Sequence, residues 1–95
     1  MPAYVIAEIQ VSDPVRYEDY RKQVLATIEA YGGRFLVRGG SAELLEGNRN
    51  PDRIVLLEFE SLERAKAWWD SEEYRSPKAL RQETAEARIL LVGGI

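Results

Sequence analysis

The chain has 95 residues, a net charge of −3, no cysteine and no histidine. Those absences exclude disulfides, thiolate nucleophiles, zinc ribbons, iron–sulfur sites, the Ser-His-Asp and Cys-His triads and the usual haem ligand, and the acidic balance disfavours nucleic acid, whose binding rests on a basic footprint. Hydrophobic content of 45% and charged content of 31% predict one folded domain over residues 1–95, and with no apolar run near the roughly 20 residues of a membrane span and no signal peptide, a cytoplasmic protein.

Ala3–Val11 alternates as a strand: Val5, Ala7, Ile9 and Val11 share one face, and Tyr4, Ile6, Glu8 and Gln10 share a mixed one. Asp13 is a good N-cap and Pro14 suits the first helical position. The helix they open places Tyr17, Tyr20, Val24, Ile28 and Tyr31 on one stripe, and Gly32-Gly33 ends it. Residues 34–38 predict a second strand, Gly39-Gly40 a bulge or bend, residues 43–46 renewed extended structure and residues 47–52 a turn. Glu46 and Arg53 flank that turn and predict a cross-strand ion pair. Arg53–Phe59 is the third strand, with Val55, Leu57 and Phe59 on one face and Ile54, Leu56 and Glu58 on the other; so apolar a run suits a central position. Ser61 caps a second helix that buries Leu62, Ala65, Trp68 and Trp69; neighbours on a helix point about 100° apart, so only one tryptophan faces the sheet squarely. Ser76-Pro77 predicts a stop, followed by a short helix over 78–86 with Leu80 and Thr84 inward and a last strand over 87–92.

The order βα-ββα-β predicts an α+β, ferredoxin-like fold: a four-stranded antiparallel sheet with the helices on one face. Neither face of the first strand is hydrophilic enough for water, so the uncovered face predicts a homodimer.

Charges inside apolar strands are the first candidates for chemistry. Glu8, Arg38 and Glu58 each sit among aliphatic residues, and buried charges need partners. Together they form either a structural ion-pair group or a site in which a desolvated carboxylate takes a proton. Tyr17, Tyr20, Trp68, Trp69 and Tyr74 either wall a small-molecule cavity or pack as core. Arg75 and Arg81, near the helix break, are solvated or hold a substrate carboxylate bidentately. Only carboxylates are left to bind a metal, and no cluster has that spacing; no phosphate-binding glycine loop occurs. With Met1 in place, the Pro2 nitrogen is an amide and cannot act as an amine base.

Asp13-Pro14 with Tyr17 and Tyr20, Gly32-Gly33, Val37-Arg38-Gly39-Gly40, Glu46-Gly47, Arg53, Glu58-Phe59, Ser61, Ala65, Trp68, Ser71, Tyr74 and Arg81 together resemble domain-of-unknown-function family 1330, across essentially the whole chain. Trp69 departs from the more usual tyrosine. The resemblance implies a small, mostly bacterial protein built as a dimeric α/β barrel, without an established activity. The wider superfamily includes cofactor-free monooxygenases, muconolactone isomerase-like enzymes, haem-degrading proteins and stress-responsive barrels, with pockets commonly between helices and sheet; lack of histidine weakens the haem branch. By that analogy the expectation is a cofactor-independent enzyme on a compact, partly apolar substrate. Glu58 or Glu8 would take the proton, Arg38 would stabilise an oxyanion, and Tyr17, Tyr20, Trp68, Trp69, Tyr74 and Arg81 would bind the substrate. The alternatives are a non-enzymatic ligand-binding dimer and a purely structural one.

Overall fold

The computed structural model describes residues 1–95. Its elements are β1 (Ala3–Val11), α1 (Pro14–Ala30), β2 (Arg34–Gly40), β3 (Arg53–Phe59), α2 (Leu62–Trp69), α3 (Glu72–Thr84) and β4 (Ala85–Gly93). Every strand pair is antiparallel and the sheet order is β2-β3-β1-β4, the ferredoxin-like arrangement expected from the order of elements. The molecule is a slab of 35 × 34 × 16 Å, one sheet layer under one helix layer.

Alternation decides which face the helices cover. Ala3, Val5, Ala7 and Ile9 of β1 are buried, as are Val55, Leu57 and Phe59 of β3. They form the core floor, closed from above by Tyr17, Tyr20, Val24 and Ile28 of α1, Ala65 and Trp68 of α2, and Tyr74 of α3. Tyr4, Ile6 and Glu8 fall on the opposite, open face, paired across the ladder with Glu58, Leu56 and Ile54.

The caps form as the sequence predicts. Asp13 accepts from the Arg16 N–H at 3.2 Å, and Ser61 accepts from the Arg64 N–H at 3.2 Å. These bonds satisfy donors that a helix start leaves free.

Leu62, expected on the buried side of α2, is 39% exposed, and two expectations about the elements fail. Residues 43–46 form no strand; the chain from 41 to 52 is an exposed loop. Bulges between Phe35 and Val37 and between Arg38 and Gly40 turn β2 off its ladder, so the extended pattern has no partner to continue on. Gly39 has φ +70°, which favours glycine, and a Cβ there would lie 2.6 Å from the Arg53 guanidinium carbon, so a side chain would also have to push that guanidinium aside. Arg53 is therefore tucked beneath Gly39 and makes no ion pair with Glu46. Arg49 instead ties the loop back to the sheet through Glu8, at 2.7 Å.

The second failure is the helix break. It falls at Asp70 and Ser71, not at Ser76-Pro77, and α3 runs through Pro77 to Thr84. Ser71 accepts from the Tyr74 N–H at 3.1 Å, and Glu72 and Glu73 supply the acidic first turn that a helix dipole favours. Pro77 is buried, so packing of its ring offsets the backbone hydrogen bond it cannot make.

Candidate functional site

A cleft opens where the helix layer meets the sheet. Its inner end is a void of about 30 Å³ between α1, α3 and the floor strands, room for about one or two waters. An open groove of about 530 Å³ runs outward along Trp69, Arg81 and Ile89. A side lobe of about 170 Å³ lies between α2 and the β4 residues Ile89 to Leu91. Arg81 and Ile89 border both the void and the outer groove, so the two adjoin.

Most of the aromatic wall is locked. Trp68 stacks on Tyr74 with ring centroids 4.1 Å apart, and its indole N–H donates to Thr27 Oγ1 at 3.0 Å. The hydroxyls of Tyr20 and Tyr74 lie 3.0 Å apart. Burial pushes the Tyr20 phenol well above its ordinary pKa, and the neighbouring Tyr74 adds to the effect. These three rings are core that also borders the void. Trp69 is only half-buried and forms the groove wall, under the Lys78 ammonium 4.5 Å from its ring. The expectation that one of the two tryptophans faces the sheet and the other turns away is met in that order.

Tyr17 is buried, and its phenol is raised by desolvation while the nearby Arg53 and Arg81 charges oppose the rise. It is protonated at neutral pH and can donate a hydrogen bond into the void.

Four arginines border the void: Arg21, Arg38, Arg53 and Arg81. Arg38 lies over the Phe35 ring at 4.4 Å and donates to the Arg21 carbonyl at 2.7 Å. Arg81 is 4% exposed, and its Nε donates to the Tyr74 hydroxyl at 3.3 Å.

The three residues expected to act together are divided by the sheet. Arg38 reaches the cleft. Glu8 and Glu58 lie on the open face, held by Arg49 at 2.7 Å and Arg34 at 2.7 Å. The reason is parity. Positions 8 and 58 alternate with the buried odd-numbered residues of β1 and β3, while the bulge after Phe35 shifts Arg38 to the helix side, opposite Val55. Two carboxylates and a guanidinium satisfying one another in the core is therefore corrected: the acids pair with arginines of the other face.

Of the expected binding residues, Tyr17, Tyr20, Trp68, Tyr74 and Arg81 border the void and Trp69 the groove beside it. Arg75 is exposed and pairs loosely with Glu72 at 3.4 Å, away from the cleft. Sequence reasoning missed Arg21 and Arg53. For Arg53 the signal was available, since it shares parity with Val55, Leu57 and Phe59. No three acidic side chains converge as a metal site.

The chain belongs to the family described as domain of unknown function (DUF1330), whose model matches residues 2–95. No curated protein matches the sequence. Solved structures with the same fold include a protein of unknown function from Rhodopseudomonas palustris, at TM-score 0.80 and 17% identity over 99% of this chain and 82% of that one. The cofactor-independent oxygenase SnoaB from Streptomyces nogalater matches at TM-score 0.67 and 10% identity, covering 99% of this chain and 93% of that one. A candidate antibiotic biosynthesis monooxygenase from Nitrosomonas europaea matches at TM-score 0.59 and 14% identity, over 99% and 90% of the two chains. At these identities the likeness is one of fold.

Proposed function

We propose that the helix–sheet cleft of this DUF1330 member binds a compact, partly apolar small molecule, and that the protein works as a homodimer joined through the open face of its sheet. The observation that carries the binding reading is that the apolar inner void adjoins an open groove of about 530 Å³ beside Trp69, the two sharing Arg81 and Ile89. An apolar concavity with a few polar groups turned into it is the usual make-up of a ligand site.

The geometry favours binding over proton abstraction by a carboxylate. Glu8 and Glu58 were the expected bases, and both side chains belong to the opposite face. A second reading keeps an enzyme: oxygenation of an activated phenol, or isomerisation of a lactone or enol, without a cofactor. Arg38 and Arg53 at the inner end favour it, because preorganised donors stabilise a developing oxyanion. The shared fold with SnoaB, a cofactor-independent oxygenase, supports this reading at the level of architecture.

The binding reading is tested by incubating the purified protein with a bacterial small-molecule extract and recording native mass spectra. A retained small mass is expected in the wild type and not in Trp69→Ala. Absence of any retained mass, with no shift in thermal midpoint on adding the extract, would refute it.

A further inference from the structure

We infer that the ligand is an anion, an apolar or aromatic body bearing a carboxylate, phenolate or enolate oxygen, and that Arg81 anchors it. This rests on the cleft being a small-molecule site and names the class of molecule it takes.

The charges around the void are one-sided. The chain carries 16 acidic residues against 13 basic ones. Yet four arginines and no aspartate or glutamate border the void. Of the four, only Arg21 has an acidic partner, Glu18 at 3.0 Å, and that pair faces solvent. Arg81 is 4% exposed and forms no salt bridge. Its one hydrogen bond is the 3.3 Å contact to Tyr74, although a guanidinium has five N–H donors. The Nε atoms of Arg21 and Arg53 are also buried without an acceptor.

Local compensation for Arg81 is partial. It sits in the last turn of α3, where helix carbonyls favour a cation, and its guanidinium carbon lies 5.8 Å from the Trp69 ring. Neither supplies the in-plane oxygens that match the guanidinium fork. Glu86 borders the outer groove but does not come within ion-pairing distance of Arg81. A cation this nearly buried gains from an anionic partner, and the terminal nitrogens of Arg81, which have no acceptor in the chain, open on the groove where a ligand oxygen can reach them.

The walls fix the rest of the ligand. Void and groove share Arg81 and Ile89, and the void has room only for water, so an oxygen anion at the fork places its apolar body in the groove along Trp69 and Ile89. A planar, two-oxygen head fits the fork bidentately. A fully polar inorganic anion would leave those apolar walls uncovered.

The test compares benzoate and naphthoate with benzamide and naphthamide, which keep the shape and lose the charge. Binding is read by calorimetry and thermal midpoint on the whole chain at low ionic strength. The acids are expected to bind and raise the midpoint, with the amides roughly tenfold weaker or worse. Arg81→Met, which keeps an unbranched stem of similar length without the charge, is expected to lose the response to acids while its ligand-free midpoint holds or rises. Equal binding of acids and amides would overturn the anion assignment and leave the cleft standing. No binding of either would overturn both. An undiminished acid response in Arg81→Met, or a lowered ligand-free midpoint, would remove Arg81 as anchor. The acid–amide comparison on the wild type decides the ligand class even if that variant does not fold.

Discussion

Tyr20 and Tyr74 meet at their hydroxyls inside the core, 3.0 Å apart, and Arg81 donates to Tyr74 from the other side. This short chain links the core to the cleft, and it sets a pH dependence. Burial raises the Tyr20 phenol above its ordinary value of 10.0, and Tyr17 moves the same way. The unfolded chain releases these protons as pH passes 10.0 while the folded chain keeps them. Above that point the unfolded state binds fewer protons, so stability falls as pH rises, by up to about 1.4 kcal/mol per pH unit for each such group. Urea midpoints are expected to stay level from neutral pH up to about one unit below the phenol pKa and to drop beyond it. Tyr20→Phe should cost about 1 kcal/mol at neutral pH, since Tyr74 keeps Arg81, and should flatten the alkaline decline. Superimposable profiles for wild type and variant would show that another group sets the decline.

At the scale of elements, the joint between α2 and α3 decides how the aromatic wall is built. Ser71 is buried, accepts from the Tyr74 N–H at 3.1 Å and donates to the Trp68 carbonyl at 2.7 Å. It thereby fixes the residues whose rings stack at 4.1 Å. Ser71→Ala removes a cap and one of the two donors to the Trp68 carbonyl, which keeps the Ser71 N–H at 3.1 Å, at an expected cost of about 1–2 kcal/mol. Denaturant midpoints and the near-ultraviolet dichroism of the tryptophans measure it, and an unchanged aromatic spectrum would mean the stack holds without the joint. The order of elements along the chain, both first caps and the buried stripe of α1 were legible in the sequence because period and capping chemistry are local. The Ser71 joint was not, because Pro77 offers a louder stop signal and only packing of its ring explains why the helix continues. The loop over 41–52 misled similarly: Leu44 and Leu45 read as extended, but no sheet face receives them and both are exposed. For the site, alternation already separates Glu8 and Glu58 from the core. The bulges in β2 put Arg38 on the other side, and a bulge is a tertiary choice that spacing alone does not reveal.

For the molecule as a whole, the sheet register makes the case for two copies. Ile6 stands opposite Leu56 on β3 and opposite Leu90 on β4, and Leu56 stands opposite Val37 on β2. One unbroken apolar row thus crosses all four strands on the face the helices leave open. The rows beside it carry the charges: Arg34, Glu58, Tyr4 and Val92 on one side, and Ile54, Glu8 and Arg88 on the other. An apolar band between polar rows is the anatomy of an interface, with a greasy centre and a charged rim. It also gives self-complementarity, since a two-fold axis through the band lays each row on its own copy. A slab 16 Å thick has little core of its own, so a second copy adds burial that one chain cannot supply. Sedimentation at micromolar concentration is expected to give a two-copy species for the wild type. Leu56→Asp, on the open face and clear of the core, should give single copies with unchanged far-ultraviolet dichroism. Ligand binding in that variant then separates the two halves of the proposal: the anchor Arg81 and the walls Trp69 and Ile89 lie together in one subunit, so the separated subunit should still take up its anion. If the wild type runs as a single copy, the dimer falls, while the cleft and its arginines stand on their own geometry.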